Sequence, residues 1–411
     1  MRKFIRYITG LSLVSSRDVG RILLYLVAFV PLIYKFISPF FILAGLASLT
    51  VIIMPTFVIF GVTMAWQDLI HAIRVQDIAF YILIATILVL SPVIHIDTLT
   101  FFDDNYINFI FKILPFFFVG LLIDFEKDWA ILRFVARMGI LVQIFWQICI
   151  LAGFVTTEMG TSDTLGEQME VAYQLLFPVF YLYVSLSKSF NSLDLILSII
   201  GTILMFFMGA RGPIVVYALF LVGYLIFFYS YRKYAFLKKS LIIGCFIAFM
   251  VNLKVVLMAI IPIAQELRFS TRVFDSILEN QMVNLSESSQ RDSFYGRVIN
   301  AIKDDSGFGY GWGADRLFTP DGMYAHNFEL EVLCQFGVIG GGLIFLVLII
   351  LLLKSYKVCK PQKQLPYWYM MLCSGWFALQ FSYSYVLYPM FFVFVGCIVS
   401  CCRKKNFRIT I

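Results

Sequence analysis

Long apolar runs, unbroken by the turn residues of soluble domains, leave this chain few folds to choose from. Stretches such as 192–209, 212–230 and 326–353 are largely apolar and show no in–out alternation, which argues against a membrane β-barrel. A helix that is apolar on all sides needs a nonpolar solvent, and inside a bilayer only helices and closed barrels satisfy the backbone. The chain therefore reads as an all-α integral membrane protein. Composition agrees: of 411 residues 61% are hydrophobic and 14% charged, against about 25% charged in soluble domains. Phe alone accounts for 44, which suits lipid-facing and interfacial surfaces.

About twelve transmembrane helices are expected, at 21–37, 39–65, 77–95, 107–123, 130–155, 169–187, 192–209, 212–230, 240–262, 326–353, 366–384 and 387–401. The basic stretch before the first shows no small-residue cleavage site, so that helix is expected to be retained. Lys and Arg gather in four places. These are the N-terminus (Arg2, Lys3, Arg6, Arg17, Arg21), the 231–239 link, the 354–365 link, and the tail at Arg403, Lys404, Lys405 and Arg408. Twelve spans put all four on one face, which the positive-inside rule makes cytoplasmic, together with both termini. The links 96–106 and 156–168 on the other face carry acids and no Lys or Arg. The net charge of +7 is thus a topology signal, and no nucleic-acid partner is implied.

Three regions follow: helices one to nine over 1–262, one large extracytoplasmic loop over 263–325, and helices ten to twelve with a basic tail over 326–411. Within the loop, Leu267, Val273, Phe274, Ile277 and Leu278 recur at the spacing of an amphipathic helix from Glu266 to Leu285. A short helix is expected over Asp292–Lys303, then a glycine-rich turn from Gly307 to Gly313. No strand precedes those glycines, so they are not a dinucleotide fingerprint. The eight Cys show no metal spacing and read as small apolar residues, and three scattered His make a zinc site improbable. No metal or other cofactor is expected.

The loop holds Arg268, Arg272, Arg291, Arg297, Lys303 and Arg316, against the positive-inside bias. They either pair with neighbouring acids such as Asp275, Asp292 and Asp315 or face an anionic ligand, most plausibly a phosphate, which a guanidinium fork suits. Arg211 sits in a turn of small residues at the outer boundary, where snorkelling to the interface is the alternative to a ligand. Lys112 and Lys254 fall in the outer halves of expected helices, depths at which an ionisable group is a functional candidate or a snorkelling side chain. Where the loop re-enters the membrane stand Tyr324, His326 and Asn327. A neutral imidazole there could take a proton from an attacking hydroxyl, or His326 could simply open a helix.

Arg291 with Tyr295, then Gly309-Tyr310-Gly311, His326-Asn327 and Gly337-Val338-Ile339-Gly340 occur in an order that resembles the bacterial O-antigen ligase and O-antigen polymerase superfamily. Gly209-Ala210-Arg211-Gly212 resembles that family's Ser-Arg-Gly turn. The departures are Ala210 for Ser, Tyr295 for Trp and Ser306 for Pro. They leave Arg291 and Arg297 both open as the loop arginine, with Arg291 preferred for its spacing to the glycine turn.

The resemblance implies a metal-independent glycosyltransferase of surface polysaccharide assembly in the bacterial inner membrane. The donor and acceptor would be oligosaccharides on undecaprenyl pyrophosphate, and a chain-length regulator protein is an implied partner. Outside the cytoplasm no sugar nucleotide is at hand, so activation arrives on the lipid. Arg211 and Arg291 would hold the pyrophosphate as the anomeric C–O bond breaks, and His326 would be the general base. Arg297, Asn327, Tyr295, Tyr324, Lys254 and Lys112 would contact substrate. A polymerase is favoured over a ligase, which would use lipid A–core as acceptor. A transporter of lipid-linked glycan is the alternative from another class, but it would spread charge along a pore rather than concentrate it in one loop.

Overall fold

The computed structural model describes residues 15–30, 50–152, 170–208, 210–228, 258, 261–262, 265–266, 291–319, 322–360, 364–381 and 383–404. Every regular element among them is helical. In chain order these are α1 (Ser16–Phe29), α2 (Thr50–Met64), α3 (Trp66–Ala72), α4 (Val75–Ile94), α5 (Leu99–Asn108), α6 (Phe116–Leu122) and α7 (Trp129–Leu151). There follow α8 (Leu176–Lys188), α9 (Ser192–Phe207), α10 (Arg211–Phe228), α11 (Arg291–Asp304), α12 (Phe328–Cys359), α13 (Leu365–Gly375) and α14 (Pro389–Lys404).

Among the described residues, Val75–Ile94, Ile96–Leu122, Trp129–Cys149 and Phe328–Cys359 are each long and apolar enough to cross a bilayer, and α2 with α3 makes a fifth if counted as one span. Ser192–Phe207, Arg211–Ile226 and Pro389–Arg403 are apolar but shorter. Most of the expected span 240–262 lies outside the described residues, as do Lys254, the 231–239 link, the whole 156–168 link and the amphipathic stretch 267–285.

Two local differences from the sequence reading have physical reasons. The stretch 96–106, expected as a link, is helical and runs into α6 through a π-type turn at Phe109–Ile113. There Leu114 N–H reaches back to Phe109 O, and Tyr81 Oη donates to the Ile110 carbonyl at 2.5 Å. The expected span 366–384 instead ends its α-helix at Gly375 and breaks into a 3₁₀ turn at Phe377–Gln380. Ser384 and Tyr385, just beyond, make buried hydrogen bonds that a continuous lipid-facing helix would deny them.

The chain divides into two compact units, each assembled from three stretches. The first holds 1–65, 124–283 and 365–374. At one end Arg21 Nη1 and Tyr25 Oη donate to Asp128 at 2.5 and 2.8 Å. Beside them Arg133 and Arg137, one turn apart on α7, both grip the buried Asp194 in the first turn of α9, at 2.5 and 2.7 Å from their Nε atoms. Asn191 caps α9 through the amides of Leu193 and Asp194. Arg211 opens α10 after α9 has run its 16 residues, about 24 Å at 1.5 Å each, so it stands at the other end of this unit.

The second unit holds 66–123, 284–364 and 375–411. Helices α6 and α14 touch backbone to backbone: a Cβ on Gly120 would lie 2.2 Å from Val393 O, and one on Gly396 2.2 Å from Phe117 O. Small residues at a helix crossing are how helices in lipid approach closely. One end of this unit is basic. Arg403 makes a two-pronged pair with the buried Asp77 at the start of α4, and Cys402 Sγ lies 3.6 Å from Leu351 O, near Lys354 and Lys357 at the close of α12. At the far end, Trp312 N–H donates to Ser91 Oγ at 2.7 Å near the close of α4, and Phe328 packs on Phe391 with ring centroids 5.0 Å apart.

Candidate active site

The site is set by how α12 begins. Asn327 is its N-cap, with Oδ1 accepting from Leu330 N–H at 3.0 Å. Residue 326 must turn the incoming chain into that cap, and it does so with φ 54°; His326 is the one non-glycine with positive φ among the described residues. Its ring lies 4.3 Å from the Tyr324 ring, inclined at 52°. The Arg316 guanidinium follows, 5.7 Å from the Tyr324 ring centroid and 4.1 Å from that of Phe101. Imidazole, phenol, guanidinium and phenyl thus form a continuous row.

Under that row lies a buried polar network. Asp315 is fully buried in the 3₁₀ turn Ala314–Leu317. Its Oδ2 accepts from Ala325 N–H at 2.9 Å, and its Oδ1 accepts from Gln335 Nε2 at 2.7 Å. Tyr385 Oη donates to Gln335 Oε1 at 2.5 Å. Glu331, also fully buried, accepts from Ser384 Oγ. Arg316 Nη1 stands 3.4 Å from Asp315 Oδ1 and 3.9 Å from Glu331 Oε1. Burial raises the Asp315 carboxyl above its ordinary range, while the Arg316 charge and the Gln335 and Ala325 hydrogen bonds pull it back down.

The glycine turn is fixed by a break in α12. Gly337 adopts φ 68°, ψ 177° inside the helix, which frees carbonyls that an unbroken helix would use. Tyr310 and Gly311 N–H donate to the Cys334 and Gln335 carbonyls at 3.0 Å each, and Ile339 N–H donates to Gly307 O at 3.0 Å. Asp305 Oδ2 accepts from Gly307 and Gly309 N–H at 2.9 and 2.8 Å. A Cβ on Gly311 would lie 2.8 Å from His95 Cβ, which places that histidine against the turn.

The residues expected from sequence distribute unevenly. Tyr324, His326 and Asn327 come together. Ala325 between them is buried with Val298 and Cys334, so α11 leans on the same turn. Arg291 opens α11, Tyr295 is half-buried and Arg297 is exposed. Lys112 is exposed in the π-type turn. Arg211 is half-buried in the first unit. Arg316 pairs with Asp315, the blander of the two readings for it, but also joins the aromatic row. Asp315, Gln335, Ser384 and Tyr385 were not singled out as site residues. The available signal was their polarity inside or beside apolar sequence, where a buried polar group needs a partner.

Residues 196–346 match the O-antigen ligase family. The matched segment contains Arg211, Arg291, Arg297, Tyr324, His326 and Asn327, together with the glycine turn and the Gly337 break. The O-antigen ligase match supports the ligase and polymerase superfamily, whose members are glycosyltransferase-like membrane enzymes of polysaccharide biosynthesis. No curated protein and no solved structure matches the chain.

Proposed function

We propose that this protein is a glycosyltransferase that polymerises undecaprenyl-pyrophosphate-linked repeat units on the outer face of the bacterial inner membrane. It would span the bilayer about twelve times, with both termini and the basic helix ends in the cytoplasm. The observation that carries the reading is His326, held by Tyr324 in a strained turn at the end of its unit away from the basic helix ends. An acceptor hydroxyl gives its proton to the imidazole and attacks the anomeric carbon. The anomeric C–O bond breaks, and undecaprenyl pyrophosphate leaves with the bonding pair. Arg291 and Arg211 neutralise the charge that grows on the leaving group, work that elsewhere falls to a metal. Arg291 is preferred to Arg297 as the loop arginine for its spacing to the glycine turn. Tyr295, Arg297, Asn327, Lys112 and Lys254 are proposed to contact the glycan or lipid. A chain-length regulator is a proposed partner.

The test is transfer by the purified protein in liposomes, with lipid-linked repeat units offered alone or with lipid A–core, in the presence of a chelator. A ladder of lengthening chains from repeat units alone is the expected result. Product only with lipid A–core would make the protein a ligase. Translocation of lipid-linked glycan that persists in His326→Ala, with no new glycosidic bond, would make it a transporter.

A further inference from the structure

We propose that Asp315 is a positioning residue for His326, acting through the Ala325 backbone on one side and through Arg316 and Tyr324 on the other. The inference rests on His326 being the base, as proposed above. A non-glycine residue in the left-handed region is sterically strained and persists only where its surroundings over-determine it. Here the N–H immediately before His326 is held at 2.9 Å by a carboxylate that cannot swing away. Its second oxygen is taken by the Gln335 amide at 2.7 Å. That amide is in turn oriented by Tyr385, whose hydroxyl donates to Oε1 at 2.5 Å and so turns the NH₂ end toward Asp315. Three buried side chains, from the 3₁₀ turn, from α12 and from the approach to α14, form one hydrogen-bonded chain that ends at the Ala325 N–H, one residue before the base.

The second route fixes the ring. Arg316 stands 3.4 Å from Asp315 and packs between Phe101 and Tyr324, and Tyr324 lies along the imidazole. Leaving a carboxylate fully buried is costly unless it is paired and hydrogen-bonded. An amide of the same shape could hold the Ala325 N–H alone. Only an acceptor on both arms can take the Ala325 and Gln335 donors together while drawing in the guanidinium.

The experiment exchanges donor and acceptor. Asp315→Asn sets two NH₂ groups against each other, whereas Asp315→Asn with Gln335→Glu restores the hydrogen bond in the opposite sense and keeps one carboxylate. In the liposome assay Asp315→Asn should lower kcat about 100-fold, the penalty of a small misplacement of a reacting group, with KM for the donor unchanged. The double variant should recover most of that loss. Full kcat in folded Asp315→Asn, or a loss that the double variant does not recover, overturns the proposal. Should Asp315→Asn alone fail to fold, Gln335→Met decides: it takes away the donor that fixes Asp315 Oδ1, and undiminished kcat there is the overturning result. His326→Ala is run beside them. Full activity in His326→Ala removes the base assignment and this inference with it, while inactive His326→Ala beside fully active Asp315→Asn removes the inference alone.

Discussion

The strain at His326 and the cap at Asn327 make separable claims on stability and on chemistry. At φ 54° an alanine keeps the steric penalty of its Cβ and a glycine does not, although both remove the imidazole. His326→Gly should therefore unfold later than His326→Ala by about 1 kcal/mol, and neither should form product. Thermal unfolding in detergent beside the transfer assay reads both, and equal stabilities would mean that the turn relaxes without strain. Asn327 caps α12, so Asn327→Ala should cost about 1 kcal/mol of stability, whereas Asn327→Asp keeps an acceptor oxygen, now on a carboxylate, that caps as well. Activity lost in Asn327→Asp at unchanged stability would place the side-chain NH₂ on substrate. In sequence, His326 and Asn327 were legible because they open an apolar run with polar residues. Asp315 was not, because its partners Ala325 and Gln335 lie 10 and 20 residues further along, and no local pattern shows which of several acids is buried.

At the scale of elements, the glycine turn and the Gly337 break are one device. The turn supplies N–H groups to the carbonyls the break releases, so each is the other's hydrogen-bond partner. A Cβ at Gly337 would meet Gly307 O at 2.1 Å, and one at Gly309 would meet Gln335 O at 2.4 Å, both at positive φ. Gly337→Ala and Gly309→Ala should each cost about 3 kcal/mol, from strain and overpacking together, and should also lower transfer because the turn no longer docks beside His326. Gly342→Ala, on the same helix with nothing within 4 Å of its new Cβ, is the control and should be neutral or slightly stabilising. Thermal melts in detergent rank the three, and a Gly342→Ala melt as low as that of Gly337→Ala would refute the docking argument. Helix α11 was legible almost to its ends, since 292–303 was expected and Arg291–Asp304 forms. The break in α12 was not, because Gly337-Val338-Ile339-Gly340 is equally compatible with a straight helix in lipid. Its conformation is decided by the turn about 30 residues earlier.

For the whole molecule, the sorting of charge along each unit bears on orientation. In the second unit Arg403 and Asp77 meet at the end where α12 closes with Lys354 and Lys357, while His326 and the glycine turn occupy the opposite end. In the first unit Arg21, Arg133 and Arg137 gather at one end and Arg211 stands at the other. Each unit alone has the asymmetry that the positive-inside rule converts into a direction. Two exposed positions on the second unit test that direction, Phe308 in the glycine turn, 70% exposed, and Lys360 at the C-cap of α12. In a cysteine-free background, Phe308→Cys should react with a membrane-impermeant maleimide on intact spheroplasts, and Lys360→Cys only after permeabilisation. The opposite pattern would put His326 in the cytoplasm, where sugar nucleotides are available, and the argument for a lipid-linked donor would lose its premise. Labelling of both positions from one side would mean that α12 does not cross the bilayer, despite being the most apolar of the candidate spans.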